Sequence, residues 1–276
     1  MPTEGWIDLG PLRLHYLDWG VADRPAVVFL HGSAAHAHWW DFVLPLLADR
    51  YRCLALDLRG HGDSGAPDND DYAIATHAGD VAGLLATLGI RRTALVGHSF
   101  GGLVAMQYAA STGSRLGALV VIDSRIGLGS RSVRFLEALR RFPPPRYASF
   151  DDAVARFRLL PAATTASESV LRHMARHAIV AREDGSWTLK GSRSALGGAR
   201  EQDLGAELGT AACPLLVVRG AHSSVVDAEA LLAFAHAAPH AELVEIADAH
   251  HHVMLDQPAA LAAVLGAFLD RHYGLR

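Results

Sequence analysis

The residues with the clearest chemical potential are Gly97-His98-Ser99-Phe100-Gly101. A serine hydroxyl is a weak nucleophile until something lifts it clear of the backbone and removes its proton. The G-x-S-x-G form does the lifting, because the flanking glycines let a strand and a helix pass a sharply turned serine without a side-chain clash. Thr93 to Val96 have strand character and run into the turn, and a small-residue, apolar helical pattern with Leu103, Val104 and Met106 leaves it. Gly102 extends the room. Such a turn leaves the Phe100 backbone N–H at a helix N-terminus, available to a developing oxyanion. A second donor is expected after an earlier strand: Ala26 to Leu30 is a continuous apolar run of the buried type, and the N–H of Ser33, just past His31-Gly32, has the right place for it.

The elements that must position these groups follow from the pattern. Trp6 to Leu9 and Leu12 to Asp18, separated by Gly10-Pro11, predict a hairpin, and Cys53 to Leu56 predicts another buried strand. A helix is expected over about Trp39 to Ala48, and a second over Tyr72 to Leu88 that stops at Gly89. Between them Asp57-Leu58-Arg59-Gly60-His61-Gly62-Asp63-Ser64-Gly65 is a Gly- and Asp-rich loop whose charges can pair locally, so a structural role is expected. Ala118 to Ile122, Leu215 to Gly220 and Leu243 to Ile246 complete the later strands, and Asp227 to Ala238 predicts a helix.

Composition narrows the partners. The 276 residues are half hydrophobic, enough for one large domain or a core domain with an insertion. A net charge of -4 and a pI near 6.4 provide no basic field, so nucleic acid is not an expected partner. Lys190 is the sole lysine among 25 basic residues, which nearly removes lysine chemistry. Cys53 and Cys213 sit at the edges of apolar runs and are expected to be buried thiols. No basic segment leads into a long apolar run and no stretch is long enough to span a bilayer, so a soluble cytoplasmic protein without a membrane partner is expected, as a monomer or homodimer. No cofactor is implied, and no metal is expected. His36 and His38 form an H-x-H pair that lacks further ligands at defined spacing, and are expected to pack or cap their loop. The adjacent His250, His251 and His252 cannot easily converge on one ion.

Four stretches in one order, His31 to Ser33, Asp57 to Gly65, Gly97 to Gly102 and Ala249 to Pro258, resemble the α/β-hydrolase fold superfamily, in its serine-nucleophile branch. The resemblance covers essentially the whole chain. It implies an eight-stranded, mostly parallel sheet with helices on both faces: a core of residues 1–123 and 209–276, and a helical cap, or lid, of residues 124–208 inserted after the sixth strand. It also implies that the base is a histidine seven positions before the proline that opens the last helix. With Pro258 that residue is His251.

The acid departs from the common pattern. Most members of the superfamily carry an aspartate three residues beyond the glycine ending the seventh strand, where this chain has Ser223 followed by Ser224. Neither can balance an imidazolium, which needs a carboxylate on its other nitrogen. Asp123, at the end of the sixth strand, is the expected acid, since parallel strand ends converge on one edge and a minority of the superfamily place it there. Asp227 is the runner-up, at a position that also suits a helix N-cap.

Within 124–208 helical stretches are expected over Ser132 to Phe142, Phe150 to Leu160 and Ser167 to Val180. Phe135, Phe142, Tyr147, Phe157 and Trp187 are candidates to line an apolar site, with more of them expected in the lid's own core. Taken together, these residues predict a serine hydrolase of a small, apolar ester or lactone, with Ser99, His251 and Asp123 as triad and the N–H groups of Ser33 and Phe100 as oxyanion donors. Hydrolysis of a carbon–carbon bond or a small amide uses the same parts. Epoxide hydrolysis and dehalogenation are disfavoured, because those relatives carry aspartate where Ser99 stands. A small-molecule receptor with little turnover is the reading from a different class.

Overall fold

In the computed structural model, which describes residues 1–112, 116–196 and 200–274, the described residues form one eight-stranded sheet. Its strands are β1 (Thr3–Leu9), β2 (Leu12–Trp19), β3 (Ala26–Leu30), β4 (Arg52–Leu56), β5 (Thr93–His98), β6 (Leu116–Ile122), β7 (Leu215–Gly220) and β8 (Glu242–Ile246). They lie in the order β1-β2-β4-β3-β5-β6-β7-β8. The pairs β1–β2 and β2–β4 are antiparallel, and every later pair is parallel.

The continuous apolar runs of β3 and β5 are explained by cover on both faces. Val27 and Phe29 of β3 join a core containing Trp40, Leu265 and Phe268, while Val28 and Leu30 join an opposite core containing Leu84, Val104 and Phe234. The first core is backed by α8 (Pro258–His272). The second is backed by α1 (Ile74–Thr87), α2 (Phe100–Thr112) and α7 (Ala228–Ala237). Alternate residues of one strand thus feed two cores.

One expected helix is replaced. Residues 39–48 form no α-helix; the chain makes two short 3₁₀ turns, Ala37–Trp40 and Leu44–Leu46. Pro45 sits inside the stretch, and its missing N–H and ring deny the i to i−4 ladder a continuous run. Trp40, Val43, Leu44 and Leu47 still reach the core from these turns.

Between β6 and β7 the chain leaves the sheet. It forms α3 (Ser130–Arg140), α4 (Phe150–Arg156), α5 (Glu168–Ala178) and α6 (Gly205–Gly209), with the short paired strands Ile179–Ala181 and Trp187–Leu189. Ser149 and Ser167 cap α4 and α5 with their side chains. The five aromatic residues singled out in this segment divide. Phe135 and Phe142 are exposed, Tyr147 and Trp187 pack in a small separate core around Ala153, Ala175 and Ile179, and Phe157 touches both that core and the main one.

Candidate active site

Ser99 stands between β5 and α2 with φ +52, a left-handed conformation costly for a residue with a Cβ. The backbone holds it there: its N–H donates to the Ile122 carbonyl at 2.9 Å, and its own carbonyl accepts from Gly102 N–H at 2.9 Å. The glycines around it have no room for a side chain. A Cβ on Gly97 would lie 2.2 Å from the Gly101 carbonyl oxygen, and one on Gly101 would lie 2.4 Å from that of Leu30. Gly32 lies so close to Ser99 that a Cβ there would sit 3.2 Å from the serine Cβ, which brings the 31–33 turn against the elbow.

Among the described residues neither Ser33 nor Phe100 directs its backbone N–H to an acceptor within the protein. Ser33 follows His31, whose Nδ1–H donates to the Gly32 carbonyl at 2.8 Å and whose Nε2 accepts from Leu58 N–H at 3.0 Å. The turn is thereby tied to the 57–65 loop, which is structural in its contacts. Buried Asp57 accepts from His15 Nδ1 at 2.7 Å, from Ala37 N–H at 2.6 Å and from Asp63 N–H at 2.9 Å. Burial alone would raise that carboxyl, but the His15 hydrogen bond and nearby His31 outweigh it and hold the group well below the usual range.

The three adjacent histidines have different surroundings. His251 places Nδ1 2.8 Å from Asp123 Oδ1, with both side chains buried, so Nδ1–H donates to the carboxylate and Nε2 is the ring nitrogen turned away from it. His252 Nε2–H donates to the Pro161 carbonyl at 2.9 Å, and its ring meets Trp39 edge-on. His250 is half-buried, its ring 5.5 Å from that of His222 and its N–H bonded to Asp256.

Asp123 ends β6 with φ +43 and is wholly buried. Its Oδ2 accepts from Gly220 N–H at 2.9 Å, and its Oδ1 accepts from Ser223 Oγ at 2.6 Å as well as from His251. Ser223 therefore does have a part, which reading it only as a failed acid overlooked. Its hydroxyl reaches from the end of β7 to the carboxylate at the end of the adjacent β6. Positions 223 and 123 thus meet through one hydrogen bond, a hydroxyl donating to a carboxylate.

Asp227 lies elsewhere in role. It caps α7, accepting from Ala230 N–H at 2.9 Å, and pairs with Arg125 at 2.8 Å on the surface. A further residue, His98 of the elbow itself, makes a contact that its variable place in the motif did not signal. Its Nε2–H donates to the His251 carbonyl at 2.9 Å, which ties the elbow to the backbone of that histidine.

Burial has a collective consequence here. His31, His36, His61, His77, His98 and His252 are all pushed below the usual imidazole range, in each case first by desolvation; His61 and His252 fall to about 3. In the unfolded chain these rings take up protons near pH 6.5, whereas folded His61 and His252 resist protonation down to about pH 3. The unfolded state binds more protons in that window, so stability is lost as pH falls through it. At about 1.4 kcal/mol per pH unit for each ring, these two alone remove on the order of 5 kcal/mol between pH 6.5 and 4.5. Urea midpoints measured at pH 7.5 and 4.5 should differ accordingly, and the double variant His61→Gln/His252→Gln should reduce the difference, leaving the part due to the other four rings. A midpoint independent of pH in the unsubstituted protein would contradict this.

Among the described residues no helix is long and apolar enough to cross a membrane. The segment between β6 and β7 is tied to the core near the site. Asp256 accepts from the Thr164 hydroxyl, from Thr165 N–H at 2.9 Å and from Ala166 N–H at 3.2 Å, while its other oxygen holds His250 N–H at 2.7 Å. Ser192 N–H donates to the Gly60 carbonyl at 2.7 Å, and Lys190 pairs with Asp63 at 2.7 Å. A cavity of about 70 Å³ is lined by residues of this segment, Phe157 and Leu196 among them, and by Ala34 and Ala35 of the loop after β3.

Comparison with known proteins agrees with this architecture. Residues 25–258 match the family model described as alpha/beta hydrolase fold. The chain is 27% identical over 278 residues to 2-(acetamidomethylene)succinate hydrolase of Mesorhizobium japonicum, across 96% of this chain and 94% of that protein. A crystal structure of E-2-(acetamidomethylene)succinate hydrolase matches with a TM-score of 0.87 and 26% identity, over 98% of this chain and 100% of that one. Epoxide hydrolase 1 of Caenorhabditis elegans is 40% identical over 111 residues, a match spanning 38% of this chain and 28% of that protein's length.

Proposed function

The chain belongs to the alpha/beta hydrolase fold family, and we propose that it is a serine hydrolase acting on a small ester or lactone through an acyl-enzyme. The observation that carries this reading is the buried Asp123–His251 pair at 2.8 Å, formed from strand ends on the same edge as the strained Ser99 elbow. A carboxylate on Nδ1 orients the ring, selects the tautomer with a basic Nε2 and stabilises the imidazolium that forms later.

In the proposed reaction His251 Nε2 takes the proton of Ser99 Oγ as the oxygen bonds to the substrate carbonyl carbon. The N–H groups of Ser33 and Phe100 hold the oxyanion. Collapse of the intermediate breaks the bond to the leaving oxygen, which receives the proton from His251. Water then attacks the acyl-enzyme with His251 again as base, and Ser99 is regenerated with release of the acid. Asp123, Gly220 and Ser223 form the support for the imidazole. Residues 124–208 act as the cap, and Phe157 lines the cavity between it and the core.

A panel of short p-nitrophenyl esters and lactones, run with a serine-directed phosphonate and peptide mapping, tests the proposal. Turnover and labelling at Ser99 are expected, and His251→Ala should abolish the labelling while His250→Ala leaves it. Labelling that survives His251→Ala would remove that residue from the role of base. Tight binding of a ligand with negligible turnover would favour a receptor instead. A small-amide substrate is the second reading, favoured by the full-length similarity to an enzyme whose named substrate carries an acetamido group. An acetamido-substituted enoic diacid belongs in the panel for that reason.

A further inference from the structure

Away from Ser99, four side chains that the proposed reaction does not use come together where α5 meets the turn Ala37–Trp40. The turn supplies His38, and Asp41 follows it; α5 supplies His173 and His177, one helical turn apart. Asp41 Oδ2 accepts from His38 Nδ1 at 2.9 Å and from His173 Nε2 at 2.7 Å. The rings of His38 and His177 stack with centroids 3.5 Å apart and planes 22° from parallel, and the rings of His173 and His177 are 4.6 Å apart. One ligand atom from each of the four lies within 4.8 Å of every other.

Hydrogen bonding between two packed segments would explain one histidine on Asp41. It does not explain three imidazoles gathered around one carboxylate, two of them stacked face to face, nor the other carboxylate oxygen, Oδ1, which is buried with no hydrogen-bond partner. Histidines at i and i+4 on a helix present their rings on one face, the spacing used to bind an ion in pairs. Three imidazoles and one carboxylate are a four-ligand nitrogen-and-oxygen set, which suits zinc and its first-row neighbours. The set is too poor in oxygen for calcium or magnesium.

We propose that His38, Asp41, His173 and His177 bind one divalent first-row transition ion of the zinc type, joining α5 to the turn that follows the Ser33 loop. Each histidine presents an unprotonated nitrogen to the ion with its proton on the other ring nitrogen, and Asp41 contributes the negative charge. The ion is structural in position: it ties the inserted segment to the core near Ala34 and Ala35, where the cavity lies. The second group of histidines within ligand distance, His98, His251 and His252, belongs to the Ser99 site and competes for the same probe.

Cobalt(II) titrated into chelator-treated, dialysed protein tests the proposal, with its visible absorption reporting geometry. The expected result is one tight equivalent with a tetrahedral spectrum and a melting temperature raised by the ion. His173→Ala and His177→Ala should each weaken that equivalent by on the order of 100-fold. His252→Ala should leave it unchanged. His173 is about a third exposed, 35% for its side chain, so its replacement is compatible with folding. His173→Gln keeps a donor for Asp41 yet ligates poorly, and should lose the ion while melting like the metal-free parent. Binding unaltered in His173→Ala and His177→Ala, binding lost only in His252→Ala, or no tight equivalent in the parent protein would each overturn the proposal.

Discussion

Ser99→Ala is expected to lower kcat by on the order of 10³-fold or more with the fold intact. The hydroxyl is the bond-forming atom in the proposed reaction, so the other groups cannot replace it, and the residue catalysis should be what oxyanion binding alone supplies. Folding should survive because the change removes one polar atom from a half-buried position and no core volume. Alanine must still adopt the left-handed conformation that serine holds at φ +52, so any change in melting temperature reflects strain common to both residues and should be small. Burst-phase kinetics with p-nitrophenyl acetate provide the check: the parent should show an acylation burst, and the variant none. Near-parental kcat in the variant would remove Ser99 from the nucleophile role.

Asp123→Asn should cost on the order of 10³ to 10⁴ in kcat near neutral pH, and here the geometry adds a stability effect. The carboxylate accepts from three donors, Gly220 N–H on one oxygen and Ser223 O–H and His251 Nδ1–H on the other. An asparagine can satisfy one side only. With its NH₂ toward His251 it favours the wrong tautomer, and with its NH₂ toward Gly220 it sets two donors against each other in a buried site, at a cost of about 1–3 kcal/mol. Asp227→Asn should leave kcat near the parent value, since that side chain caps α7 and faces Arg125. Asp227→Ala should lower the urea midpoint modestly through loss of the α7 cap. Steady-state kinetics and urea denaturation on these variants separate the two carboxylates. The inverse pattern, with Asp227→Asn inactive and Asp123→Asn normal, would transfer the role of acid to Asp227.

Local features of the chain were legible without coordinates where one strong requirement acts over a few residues. The elbow needs glycines in a fixed pattern around Ser99, and buried parallel strands need unbroken apolar runs, so β3, β5 and the strand–turn–helix at Ser99 were readable from residue order. The eight-stranded sheet followed from the resemblance of four ordered motifs. Asp227 was readable as a potential cap for the same local reason. What remained open depends on contacts between residues far apart. Two carboxylates stood as candidates for the acid because each ends or follows a strand, and it is the pairing of β6 beside β7 that brings Asp123, Gly220 and Ser223 together with His251, 128 residues from Asp123 in the chain. The three adjacent histidines differ little as sequence; their rings diverge toward Asp123, Pro161 and His222 because the loop after β8 turns each ring to a different neighbour. The turns at 37–46 follow from Pro45 acting inside a packed stretch whose apolar residues the core accepts in either form. His38 and Asp41 are separated from His173 and His177 by more than a hundred residues, and spacing carries no sign of their meeting. Tertiary packing of the inserted segment on the core brings them together.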